Sequence, residues 1–405
     1  MTPVMSPDQR KNIVQEAIRA FEGTGLQEIR GSREKLAGRA QTTISAVIQR
    51  MNIQVSSDDI AKMVQEVVAH IGGLGVLEPL LRPGAGLSEI VVTPAGTVWT
   101  LPKGAHSFVQ LDAHPSQNEV WRAVEVLLSP LGRSCSEASP SVDAKIPRSP
   151  DLPGGARVKI LHPVIAPGDG YPSINIRLFE PNPVPPSKIV QWGVAPEEVI
   201  NGLVKAVGEG MRMIVIGGTA SGKTTLLSAL CYGIPQDARV VKIEDPEEIW
   251  LDHPHVVTIE ARPAVIGSSV PAYTLANGVD DAMRMSPRWL IVGEMRRGDA
   301  VSALFRAQMS DHPGLSTFHA EGPEAAIHRM ALLLFNDTGM RAEGAKDLFA
   351  QAVDVIVQVG WMGDSRAMLG VWEVGKTLKA GNVTFRQVYA PGDDKLGEFE
   401  LKRRL

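Results

Sequence analysis

The sequence predicts an α/β protein of several domains, organised around a phosphate-binding loop. Residues Gly217 to Thr224 read Gly-Gly-Thr-Ala-Ser-Gly-Lys-Thr, the spacing G-x-x-x-x-G-K-[ST]. The apolar run Met213-Ile214-Val215-Ile216 precedes it, and Thr225-Leu226-Leu227-Ser228-Ala229-Leu230 follows as a helix start. Short apolar runs then alternate with helical stretches, the signature of a sheet with helices on its faces.

A strand, a glycine-rich loop and a helix start in that order make a cradle for phosphate. Glycines let the backbone approach the anion, and loop and helix-start N–H groups point at it. Lys223 adds a mobile cation for β/γ oxygens, and the Thr224 hydroxyl is placed to hold Mg²⁺. A glycine turn beside a surface lysine has the same composition but lacks the flanking strand and helix. The candidate nucleotide-binding residues are therefore Gly217, Gly218, Thr219, Ala220, Ser221, Gly222, Lys223, Thr224 and Thr225, and the implied ligand is an NTP with Mg²⁺.

The 405 residues are enough for two or three domains, and a 44% hydrophobic content supplies ordinary cores. A net charge of -4, from 41 basic and 45 acidic residues, argues against a nucleic-acid coat protein. Cys135 and Cys231 are far apart and lack metal-ligand neighbours, so both are expected as core or half-buried thiols in a reducing compartment. No apolar run reaches about 18 residues, and Met1 to Ser6 lacks the features of a signal peptide. The expectation is a cytosolic chain unless a partner holds it at a membrane.

Along the chain, residues 1–72 read as a helical bundle. Val14, Ile18 and Phe21 repeat at helical spacing, followed by Leu36, Ala40, Ile44, Val47 and Met51, and by Ile60, Met63, Val64, Val67 and Ile71. Ser57 and Asp58 are expected to cap the third helix, and Gly72-Gly73 to end it. Residues 73–180 read as an α+β domain. Its strands are Glu89 to Val92, Val98 to Leu101, Arg157 to Leu161 and Ser173 to Arg177; its helix runs from Asn118 to Leu128, and Ser129 to Gly155 is a loop rich in Ser, Pro and Gly. Four prolines between Pro181 and Pro186 make a stiff linker over 181–190. Residues 191–405 hold the phosphate loop, a helix from Pro196 to Glu209, and strands at Val240 to Ile243, Val256 to Ile259, Trp289 to Val292 and Leu315 to Phe318.

Further candidates sit at strand ends. Glu244-Asp245-Pro246-Glu247-Glu248 follows the strand Val240 to Ile243, where carboxylates face the nucleotide crevice; the same residues also fit an ordinary acidic turn. Glu294 follows Trp289 to Val292 after Gly293 and suits a Mg²⁺ or nucleophile-polarising acid. His319 ends Leu315-Ser316-Thr317-Phe318 and would sense the γ-phosphate or bridge subunits, whereas His312 and His328 read as structural. Arg157 and Arg177 would stabilise transferring-phosphate charge if domain closure brought them to it; from spacing alone, surface salt-bridge arginines are the better reading.

Together these pieces resemble the secretion ATPases of type II/IV systems past residue ~70, most closely the CpaF/TadA branch that drives Tad pili. Gly75-Val76-Leu77-Glu78-Pro79-Leu80-Leu81 is similar to the family's G-P-L-E-P-L-L, and Ser88 to Val92 to its T-E-I-M-V. Gly132-Arg133 with Glu137-Ala138-Ser139-Pro140-Ser141-Val142-Asp143-Ala144 resembles a stretch specific to that branch. Arg157-Val158 and Ser173 to Arg177 match R-V-N and S-x-T-I-R, whose arginines approach the phosphates. Four boxes match in order: Gly217 to Thr224, Ile243 to Glu248, Gly293-Glu294-Met295-Arg296, and Leu315 to Ala320. Departures occur at Arg284 to Trp289, Met309 to Gly314 and Ile176 to Phe179, regions that contact neighbours. The paired CxxC zinc ligands of the type II branch are missing, which disfavours that branch.

The resemblance implies a RecA-like P-loop ATPase motor domain, a PAS-like α+β domain before it, and ATP with Mg²⁺ as substrate and cofactor. It implies Glu248 as the candidate catalytic acid, Glu294 on the metal–water shell, Arg157 and Arg177 on the γ-phosphate, ATP between the two ATPase domains, and His319 linking nucleotide state to domain position. It further implies a homo-hexamer, cytoplasmic and peripheral at the inner membrane, docked on pilus platform proteins, with no direct nucleic-acid partner. A conjugation or type IV secretion motor and a non-hydrolysing nucleotide-switched scaffold remain as alternative readings.

Overall fold

The computed structural model describes residues 5–20, 33–72, 74–149, 152–264 and 269–401. Phe21, Gly73 and the basic end Lys402-Arg403-Arg404 lie outside the described residues, as does the side chain of Ile71. Two compact units are present, Met1–Pro181 and Asn182–Leu405.

Unit 1 opens with helices α1 (Pro7–Arg19), α2 (Arg33–Met51) and α3 (Ser57–Gly72). Ser6 starts α1 with a reciprocal cap: its side chain accepts from the Gln9 amide, and the Gln9 side chain accepts from the Ser6 amide. The apolar stripes meet, with Ile13, Ala17, Ala40, Ile44, Met63 and Val67 fully buried among them. The cap of α3 falls one residue before the expected Ser57. The Ser56 hydroxyl accepts from the Asp59 amide at 3.1 Å, which makes Ser57 the first helical residue.

A six-stranded antiparallel sheet follows, in the order β3-β2-β1-β6-β5-β4. Its strands are β1 (Leu87–Val92), β2 (Val98–Pro102), β3 (Val109–Gln110), β4 (Ser141–Ile146), β5 (Ala156–Leu161) and β6 (Ser173–Leu178). Ile90, Val158, Ile160, Ile174 and Ile176 face helix α4 (Gln117–Leu128), which buries Val120, Ala123 and Val124 against them. Alternate residues on the same strands, Glu89, Asp143, Arg157, Lys159 and Arg177, share the opposite, polar face. Strand β4 corrects the expectation of a loop throughout Ser129 to Gly155. Val142 and Ala144 alternate inward, but the surrounding Ser, Pro and Gly mask a strand that pairs on one edge only.

Unit 2 is built on an eight-stranded sheet in the order β14-β13-β12-β7-β11-β10-β8-β9. The run from β12 to β9 is parallel: β7 (Met213–Gly217), β8 (Val240–Glu244), β9 (Val256–Glu260), β10 (Trp289–Glu294), β11 (Gly314–His319) and β12 (Val355–Met362). Strands β13 (Ser365–Val374) and β14 (Phe385–Tyr389) extend it antiparallel. Met213 and Val215 pack with α5 (Pro186–Gln191), α6 (Glu197–Gly208) and α7 (Lys223–Leu230) on one face. Ile214 and Ile216 pack on the other face with α8 (Leu275–Ala282), α9 (Gly298–Met309), α10 (Pro323–Thr338) and α11 (Ala342–Ala352). Burial on both faces explains why these strands read as unbroken apolar runs rather than alternating ones. The second half of the proline-rich stretch is helical, and Val184 and Ile189 are buried in the first of these cores.

Arg212, just before β7, and Asp354, just before β12, form a buried ion pair, 4% and 0% exposed. The Arg212 Nε and amide donate to Asp354 Oδ2 at 3.0 and 2.9 Å, and Nη2 donates to Oδ1 at 2.9 Å. Nη1 donates to the Gln308 carbonyl at 2.9 Å and Lys376 adds a second cation at 2.7 Å. Removing one member strands the other charge in a dry interior. Asp354→Ala should therefore cost unit 2 about 3–5 kcal/mol, read as a lowered urea midpoint by fluorescence of the buried Trp289; an unchanged midpoint would contradict this role.

Candidate nucleotide site

The chain leaves the sheet at Gly217, the last residue of β7, where only a glycine fits. An ideal Cβ on Gly217 would lie 2.2 Å from the Val359 carbonyl oxygen and 2.7 Å from Ser221 Oγ. The loop then turns through left-handed backbone at Ala220 (φ 56°) and Gly222 (φ 92°), and Gly222 starts α7. Ser221 Oγ and Lys223 Nζ both donate to the Gly218 carbonyl, at 2.9 and 2.7 Å. The lysine thus lies across the loop, and the residue as a whole is 8% exposed. Thr224 and Thr225 occupy the first turn of α7, half-buried, while Thr219 and Ala220 are exposed at the loop's tip.

Glu294 sits at the C-terminal end of β10, inside the strand rather than beyond it. The register with β11 shifts between Val292 and Glu294, placing an irregularity at Gly293. An ideal Cβ on Gly293 would stand 3.2 Å from Glu244 Cγ, so glycine leaves room for that side chain. Thr317 Oγ1 donates to the Gly293 carbonyl at 3.0 Å and ties the bend to β11. The Glu294 carboxylate accepts from Arg296 Nε at 2.7 Å, and Arg296 Nη2 lies 2.5 Å away. Burial would raise this carboxyl. The Arg296 hydrogen bond and charge, followed by the charges of Lys223 and His319, outweigh burial and hold it below the usual carboxylate range. His319 is half-buried at the end of β11, in register with Gly217 on β7. Lys223, Glu294 and His319 therefore share one edge of the sheet with the loop.

Glu248 is half-buried in the segment after β8, and its backbone is held by the first acid of that stretch, Glu244. Glu244 Oε1 accepts from the amides of Glu248 and Ile249 at 3.1 and 2.9 Å. Its other oxygen lies 3.0 Å from Lys242 Nζ, which also pairs with Glu247 at 2.8 Å and donates to the Ile249 carbonyl. Lys242 and Glu244 are each 2% exposed. Burial pushes the Glu244 carboxyl up, while Lys242 and the two amides pull the other way. A lysine within Val240-Val241-Lys242-Ile243, two residues before a carboxylate, was the available signal: that spacing puts both on one face of a strand.

Arg157 and Arg177 are direct cross-strand neighbours on the polar face of unit 1, with the Arg157 guanidinium 3.8 Å from Asp143. The structure pairs the two arginines with each other; the loop and its acids belong to unit 2. Arg366 on β13 is a contact the sequence did not disclose, donating from Nε to the Ala220 carbonyl of the loop at 3.0 Å. Cys231 is buried and its thiol is pushed up by burial, and Cys135 is half-buried, both as expected. His312 is structural, its Nδ1 lying 3.1 Å from the Pro287 carbonyl. Among the described residues no helix is long and apolar enough to cross a membrane.

The loop and its neighbours fit a magnesium nucleotide. The Thr224 hydroxyl and the ionised Glu294 are hard oxygen donors suited to Mg²⁺, and Lys223 carries charge complementary to phosphate. In Arg296→Gln the burial of Glu294 persists without its main counterion, so the carboxyl should protonate at higher pH. A depressed carboxylate supports Mg²⁺-nucleotide binding above its pKa and loses it as pH falls through that value. The acid limb of Mg²⁺-nucleotide binding should thus move to higher pH in the variant; an unmoved limb would contradict the assignment.

Comparison with known proteins agrees with this geometry. The family model described as "Type II/IV secretion system protein" matches residues 74–359. An uncharacterized protein of Methanocaldococcus jannaschii is 31% identical over 288 residues, 69% of this chain and 48% of its own length. The chain thus spans about half the length of that relative. The conjugal transfer protein TrbB of Rhizobium radiobacter is 27% identical over 287 residues, 70% of this chain and 82% of its own. The crystal structure of the pilus retraction motor PilT with bound ADP superposes with a TM-score of 0.51 at 18% identity, over 74% of this chain and 79% of that one. That likeness bears on the fold, which is the expected RecA-like α/β domain preceded by an α+β domain.

Proposed function

Because the chain belongs to the type II/IV secretion system protein family, we propose that it is a Mg²⁺-dependent ATPase motor of a secretion or pilus-assembly machine. The observation that carries this reading is the gathering of Lys223, Glu294 and His319 at the sheet edge where the phosphate loop leaves β7. Loop amides and Lys223 hold the phosphates, and Thr224 with Glu294 holds Mg²⁺, which neutralises phosphate charge when bound. Glu248 orients the attacking water and accepts its proton as the water oxygen bonds to the γ-phosphorus and the bond to ADP breaks. Glu244 fixes the Glu248 backbone for that task. Arg157 and Arg177 supply charge to the γ-phosphate on closure of the middle domain over the nucleotide, and His319 reports nucleotide state to the domain position.

The motor works as a homo-hexamer, peripheral to the inner membrane through platform proteins, without direct contact to nucleic acid. Rotation about the Pro181–Pro186 stretch turns each hydrolysis into a rigid-body step. The machine is a Tad-type pilus on the strength of the Gly132-Arg133 and Glu137 to Ala144 stretch. A conjugation or type IV secretion machine is the second reading, favoured by the name of the Rhizobium relative. A strain lacking the chain should lose pili on the first reading and transfer of DNA or protein on the second.

Purified protein should form particles of about six chains by light scattering and hydrolyse ATP with Mg²⁺. Glu248→Gln should keep ATP binding but lower kcat by about 10²–10⁴-fold. Glu294→Gln should lose turnover. No Mg²⁺-dependent hydrolysis by the wild type would sink the ATPase assignment; wild-type rates in Glu294→Gln would move the metal-holding role elsewhere, and wild-type rates in Glu248→Gln alone would do the same for the water-activating role.

A further inference from the structure

The hairpin of β12 and β13 turns back beside the phosphate loop. Strand β12 runs parallel to β7, so both deliver their C-terminal ends to the same sheet edge. The turn at Met362-Gly363-Asp364-Ser365 then places Arg366 directly opposite Trp361. Arg366 lies against the loop. Its Nε donates to the Ala220 carbonyl at 3.0 Å, its guanidinium carbon lies 4.8 Å from the Trp361 ring centre, and its Cδ is 3.5 Å from where a Cβ on Gly222 would stand. Both residues are half-buried, and Met362 beside them is 50% exposed. The hairpin lies past residue 359, beyond the matched family span.

Arg366 grips the carbonyl of Ala220, at the exposed tip of the loop. It lies alongside the limb that leads into α7 and bears a planar cation layered on an indole. Layers of this kind take flat heteroaromatic rings, by stacking on guanidinium planes and by cation–π attraction. We propose that Trp361 and Arg366 form the wall that takes the purine base of the bound nucleotide. This rests on the nucleotide reading above and adds a base subsite to it.

The test compares two ligands with equal numbers of phosphates, Mg²⁺-ADP and Mg²⁺-pyrophosphate, by calorimetric titration of the full chain. Trp361→Leu removes the ring. Arg366→Lys keeps a cation for the Ala220 carbonyl but removes the plane. Each should bind ADP about tenfold more weakly, the change that 1.4 kcal/mol produces, with pyrophosphate affinity unchanged. Trp361→Phe, which keeps an aromatic face, should stay closer to wild type for ADP. If Arg366→Lys loses ADP and pyrophosphate equally, or neither, the hairpin is only a brace and the inference is overturned while the nucleotide reading stands. If the wild type binds neither ligand, the nucleotide reading itself fails, and the base subsite with it.

Discussion

The buried ion pair between Arg212 and Asp354 is the constraint on which unit 2 depends. It sits immediately before β7 and β12, and the amides of Asp354 and Val355 both donate to the Arg212 carbonyl, at 2.9 and 3.1 Å. From that anchor the two strands run in parallel, with Val355 opposite Met213 and Gln358 opposite Ile216. One step further, Gly217 meets the Val359 carbonyl at a distance that only glycine tolerates. The position of the phosphate loop is thus set by a charge pair at the opposite end of the strand. A desolvated pair is tolerable only with nearly every lone pair and proton engaged. The carbonyls of Gln308 and Gln351 and the ammonium of Lys376 provide that.

A second buried charge group orders the acids. Lys242 and Glu244 point to one face of β8, and the Glu244 carboxylate reaches both the backbone of Glu248 and the space left by Gly293. The two acids assigned to metal and to water, Glu294 and Glu248, are in this way referred to one carboxylate. Glu294 is kept ionised by Arg296, Lys223 and His319, which come from the residues just after its own strand, a helix start and β11. Cations surround the acid that has to stay charged, while the acid that only positions its neighbours is deeply buried beside a single lysine. Charge and burial are divided between the two carboxylates by their tasks.

The core of the site was legible because it is local. Gly217 to Thr224, the strand before it and the acid after Trp289 to Val292 are short continuous signals, and both-face burial makes their strands unmistakably apolar. What the sequence hid depends on register or on long-range contact. That Arg157 and Arg177 are neighbours follows only from the pairing of β5 with β6. Arg366 lies 146 residues from the carbonyl it holds. The role of Lys242 stayed hidden within an apolar strand because its partners, Glu247 and the Ile249 carbonyl, lie around the corner of the chain. Strand β4 hid behind Pro140 and its serine neighbours, since an edge strand needs only Val142 and Ala144 to face inward.

The central claim is that the loop from Gly217 to Thr224 binds and turns over a nucleotide through Lys223. Phosphate release from purified protein with ATP and Mg²⁺, measured beside Lys223→Ala of matched particle size, tests it most directly. Turnover in the wild type that Lys223→Ala abolishes is the predicted result. Equal phosphate release from the two proteins would contradict the claim.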